Sequence, residues 1–194
     1  LIAFYLFRGR IGWTVADPAA TKALLLSATS GHVLMPLVAL FGVVAWWLRS
    51  TKRTDAALMY ALVTAATAVV SLAVVMWFGF ARPGDPHHAT VTLAIYALAA
   101  LAAGVVLDRA DVTRIGSALL LAALVQGVVF RYGDAWRLEQ PWIVALLAHA
   151  TLTAVGGGAI RAWRPARHSS AIQALNWSAQ VTSVAAAAWI VATV

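Results

Sequence analysis

Long uncharged runs alternate along this chain with short polar gaps. Residues 56–81, 87–107, 141–160 and 169–194 contain no Lys, Arg, Asp or Glu. An apolar stretch of about 18 residues or more is what a helix needs to cross the hydrocarbon layer of a membrane. The pattern predicts six spans: residues 28–48 with an amphipathic lead-in from Pro18, then 56–80, 87–107, 112–130, 141–160 and 171–194. Residues 1–7 read as the tail of an earlier span or as a processed N-terminus. The connections at 49–55, 81–86, 108–111, 131–140 and 161–170 are short, so successive spans are expected to run antiparallel and side by side. Arg82-Pro83-Gly84-Asp85-Pro86 is a breaker cluster that no helix crosses. The expected fold is all-α: a polytopic transmembrane helical bundle of about six spans plus a partial N-terminal one, forming a single integral membrane domain over residues 1–194.

Composition sharpens this reading. Hydrophobic residues make up 62% of the chain and charged residues 11%, against about 25% charged in an ordinary soluble domain. That apolar excess has to face lipid. Trp46, Trp47, Trp77, Trp136, Trp142 and Trp163 fall near the predicted span ends, where an aromatic belt belongs. The net charge of +7 does not indicate nucleic acid, because no Lys/Arg stripe runs beside stacking aromatics. Instead the basic residues cluster at span ends, where they meet lipid headgroups. Membrane lipids and other membrane subunits are therefore the expected partners. There is no cysteine, which excludes disulfides, thiolate metal sites and cysteine nucleophiles.

Basic residues also set orientation. Arg49, Lys52, Arg53, Arg109, Arg114, Arg161, Arg164 and Arg167 fall on one side; Arg8, Arg10, Lys22, Arg82, Arg131 and Arg137 fall on the other. The first group is concentrated in three short loops. The expected location is a bacterial inner membrane, with loops 49–55, 108–111 and 161–170 cytoplasmic.

Candidate chemistry gathers on the opposite face. His32 lies near the outer end of the first span, Arg82 closes the second, His87 and His88 open the third, and Arg131 and Asp134 follow the fourth. Pro36 cannot donate to the carbonyl of His32, so a kink is expected beside that histidine. His149 falls near the bilayer centre, on one helical face with Thr153 and Gly157. Either it serves a deep site or it hydrogen-bonds a neighbour such as Gln126. Asn176 and Gln180, one turn apart on the last span, are expected to fasten that helix to the bundle.

Two imidazoles on facing helices can hold a haem iron from both sides. On this reading His32 and His88 ligate a b-type haem, His87 is a spare ligand and His149 belongs to a second site. A metal ion other than haem would draw on His32, His87, His88 and Asp85. The function expected from these residues is that of an integral membrane subunit of an energy-converting or electron-transfer assembly. The alternative is a non-catalytic accessory or scaffold subunit. Ala99, Ala100, Ala103 and Gly104 would let its helices pack closely.

Two resemblances bear on this choice. Gly31-His32, Pro36, His88 and the segment Gln126-Gly127-Val128-Val129-Phe130-Arg131-Tyr132-Gly133 resemble an uncharacterised bacterial family of four-helix membrane domains found beside cytochromes. That likeness covers residues 31–133; it implies no established activity, leans towards a redox setting, and places His32 and His88 as the matched positions. Arg82-Pro83, then Pro86-His87-His88, then Arg131 resemble the motif order of the type 2 phosphatidic acid phosphatase superfamily. Here the motif lysine falls at Val75, the Ser-Gly pair is absent, and no histidine follows Arg131 at the family's distance. The resemblance thus implies a degenerate relative without the nucleophile that forms the phospho-enzyme.

Overall fold

The computed structural model of the chain describes residues 27–80, 88–163 and 170–193. Among them every regular element is helical. The elements are α1 (Ala28–Ser50), α2 (Thr54–Gly79), α3 (His88–Leu107), α4 (Ala110–Val125) with a π-helical turn (Gln126–Arg131), α5 (Pro141–Trp163) and α6 (Ser170–Thr193). Among the described residues five helices are long and apolar enough to cross a membrane: α1, α2, α3, α4 with its π extension, and α5. The protein is an all-α, multi-pass membrane protein. The sixth helix is equally long but carries Gln173, Asn176, Gln180 and Ser183. Trp46, Trp77 and Trp163, close to helix ends, are 71%, 76% and 73% exposed, as an interfacial belt requires. The amphipathic lead-in, the residues 1–7 and the breaker cluster fall outside the described residues.

The chain divides into two compact units, Leu1–Thr92 and Leu93–Val194. In the first unit α1 and α2 form an antiparallel hairpin. Its turn is a left-handed cap. Lys52 has φ of 63°, its N–H donates to the Arg49 carbonyl, and the Arg53 N–H donates to the Leu48 carbonyl at 3.0 Å. Glycine usually fills that position because a Cβ is unfavourable there. Further along, the hairpin closes tightly at Gly31. A Cβ on Gly31 would collide with Val75 Cγ2 and lie 2.7 Å from the Ser71 carbonyl oxygen, while the Ser71 hydroxyl donates to the Gly31 carbonyl at 2.7 Å. Pro36 lies within α1, which continues through it to Ser50.

In the second unit small residues again set the spacing. A Cβ on Gly116 would lie 2.7 Å from the Leu101 amide nitrogen, and one on Gly104 would lie 2.8 Å from the Thr113 amide nitrogen. Gly104 therefore does what its type predicts, whereas Ala99 is exposed. Asp108, with φ of 51°, turns the chain from α3 into α4. Its carbonyl accepts from the Ser170 hydroxyl at 2.6 Å, and its carboxylate accepts from the Ala171 N–H at 3.5 Å. An acidic group at the start of a helix is favoured by the helix dipole. This contact brings the α3–α4 turn and the start of α6 to one end of the unit.

Candidate functional site

The first unit brings two of the expected residues together. His32 sits one turn into α1 and His88 opens α3. Their rings stack with centroids 4.8 Å apart and planes inclined by 17°. Each ring is also tied to a hydroxyl on the other helix. His32 Nδ1 hydrogen-bonds with Thr92 Oγ1 at 2.9 Å, and His88 Nδ1 with Thr29 Oγ1 at 3.3 Å. Thr29 lies one turn before His32, and Thr92 one turn after His88, so each helix presents a His and a Thr on one face. The four side chains form a reciprocal cross-link between α1 and α3.

A haem does not fit this arrangement. Axial imidazoles reach iron through in-plane nitrogen lone pairs from opposite faces of the porphyrin, with the rings end-on to each other. His32 and His88 stand face to face instead. The same point bears on a small metal ion, since stacked rings aim their in-plane lone pairs side by side rather than at one centre. Among the described residues no group of three or more His, Asp or Glu side chains is gathered. Asp85, His87, Arg82 and His168 lie outside the described residues.

His149 occupies the middle of the second unit, 2% exposed. Its Nε2 lies 3.0 Å from the Ser117 carbonyl and 3.0 Å from Ser117 Oγ, and its Nδ1 lies 3.2 Å from Thr182 Oγ1. The Thr182 hydroxyl itself donates back to the Ser178 carbonyl at 2.9 Å. His149 joins α4, α5 and α6. The expected partner Gln126 is thus replaced by Ser117 and Thr182. Thr153 shares the face as expected, but its hydroxyl turns back to the His149 carbonyl at 2.8 Å, a common habit of threonine within helices.

The remaining candidates are dispersed. Arg131 ends the π-helical turn, with its guanidinium carbon 5.9 Å from the ring centroid of Tyr132, which stacks on Trp136 at 5.2 Å. Asp134 is exposed in the following turn. Val75, at the position of the phosphatase lysine, is fully buried in α2. Asn176 and Gln180 are exposed, although Asn176 Oδ1 lies against Gly157 of α5, where a Cβ would come within 2.9 Å of it. The hydroxyl partners Thr29, Thr92, Ser117 and Thr182 were not singled out by sequence; the signal was their helical spacing from His32 and His88 in two cases, and none in the other two. No family model, curated protein or solved structure matches this chain.

Proposed function

We propose that this chain is an accessory subunit that helps to build a larger assembly in a bacterial inner membrane, with loops 49–55, 108–111 and 161–170 on the cytoplasmic side. One observation carries the reading. His32, His88 and His149, the three described histidines, each hydrogen-bond a hydroxyl on another helix. Polar side chains at membrane depth are favoured where they join helices in this way. On this reading the imidazoles hold helices in register rather than ligate a cofactor. An energy-converting or electron-transfer assembly is one setting for such a subunit, but nothing at the imidazoles requires it to carry the electrons.

Purification from its own membrane in mild detergent tests the proposal. The expected result is a defined set of other membrane subunits in fixed ratio and no Soret band in a reduced-minus-oxidised spectrum. A Soret band that disappears in both His32→Ala and His88→Ala would replace this reading with a haem-bearing one. Isolation without any other subunit would also overturn it.

A further inference from the structure

We infer that the polar stripe Gln173, Asn176, Gln180 and Ser183 on α6 is the seam along which two copies of this chain pair in the membrane. The inference rests on α6 and its register against α5, and does not depend on the accessory role. The helix buries Ala171, Ile172, Leu175, Ala179, Thr182 and Ala186. All four stripe residues are exposed. Among the described residues Gln173, Asn176, Gln180 and Ser183 have no side-chain hydrogen-bond partner. Trp177 and Val184, on the far side of the stripe, are 62% and 69% exposed and suit lipid. The stripe therefore runs between the packed face and the lipid face.

Depth makes it consequential. Thr182 meets His149 on α5, and the Asn176 side chain rests against Gly157, where a Cβ would lie 2.9 Å from Asn176 Oδ1. These two contacts fix an antiparallel register in which Gln180 is level with about residue 152, the midpoint of α5 (Pro141–Trp163). A carboxamide at the centre of a bilayer and open to lipid is strongly unfavourable unless something bonds it.

The chemistry of the stripe selects the occupant. It carries no charge, so it calls for no counter-ion. Each carboxamide has a donor N–H₂ and an acceptor oxygen, so the stripe complements itself. A two-fold axis along the membrane normal sets two copies of α6 parallel and brings each stripe residue to its own equivalent. The spacing of three, four and three residues is that of the a and d positions of a coiled-coil seam, with Gln173 and Gln180 at a and Asn176 and Ser183 at d.

The absence of cysteine gives a direct test on the full chain. Single substitutions Gln173→Cys, Asn176→Cys and Gln180→Cys are oxidised in membranes and compared with Val181→Cys and Val184→Cys. Disulfide-linked dimers are expected at the three stripe positions and not at the two controls. In vesicles, photobleaching of the labelled chain should count two copies. Asn176→Leu and Gln180→Leu, both compatible with lipid, should each weaken pairing by roughly 3- to 30-fold. Equal cross-linking at all five positions would overturn the inference. So would a chain that counts as one copy, whether its stripe is then covered by another protein or lines a water path.

Discussion

Gly31→Ala isolates what the α1–α2 contact is worth. Two effects oppose each other. Alanine is the better helix former by about 1 kcal/mol. Against this, the new methyl group meets Val75 Cγ2 and lies 2.7 Å from the Ser71 carbonyl. A side chain can rotate away, but a backbone carbonyl moves only with its helix. Overpacking of this kind costs about 1–3 kcal/mol, and the Ser71–Gly31 hydrogen bond is stretched in the process. The net expectation is a loss of roughly 1–3 kcal/mol. Gly42 on the same helix supplies the control, because a Cβ there meets only Thr64 Cγ2 at an ordinary 3.7 Å. Gly42→Ala should raise stability by up to about 1 kcal/mol. Reversible unfolding in bicelles reads both variants. Adding Val75→Ala to Gly31→Ala should recover only part of the loss, since the carbonyl remains. If the two glycine variants shift stability in the same direction, the close approach is not what limits this hairpin.

Other outcomes follow from the same packing. Lys52→Gly removes a Cβ from a left-handed cap and should stabilise the fold by about 0.5–1 kcal/mol in the same assay. His149→Ala leaves a cavity among three helices and should cost roughly 2–4 kcal/mol, while leaving the visible absorption spectrum unchanged; a changed spectrum would return a cofactor to that site. Thr92→Val keeps the shape of its side chain and removes the hydroxyl that bonds His32 Nδ1, for an expected loss of about 0.6 kcal/mol, the mean value for a hydrogen bond between membrane helices. A loss of several kcal/mol would show that the pair does more than join α1 to α3.

Element existence was the most legible part of this chain, because a bilayer forces every apolar run into a helix and the polar gaps between runs are short. The start of α5 at Pro141 and its length follow directly from charge placement. The partners of His149 were not legible. Spacing along α5 shows which residues share its face, but not how far α4 and α6 slide or turn against it, and Ser117 lies about two and a half turns from Gln126 along α4. Likewise His32 and His88 were rightly gathered, yet their stacking depends on ring orientation, which no spacing encodes. The stripe on α6 left a signal in its three-four-three spacing, but Asn176 and Gln180 alone pointed inward on the reasoning that polar groups avoid lipid. That reasoning omits a neighbour from outside the chain. The π-helical turn at Gln126–Arg131 had no signature in the sequence at all.

That turn has a consequence for how the gene tolerates length changes. At its end the Tyr132 N–H reaches back five residues to the Gly127 carbonyl, at 2.9 Å, where an ordinary helix reaches back four. The segment thus holds one residue more than regular winding needs. Loss of a single codon between positions 126 and 131 would let the backbone relax into standard pitch, with the remainder of the polypeptide leaving at nearly the same angle. Elsewhere in these spans the same deletion would swing every following side chain by about 100° around its axis.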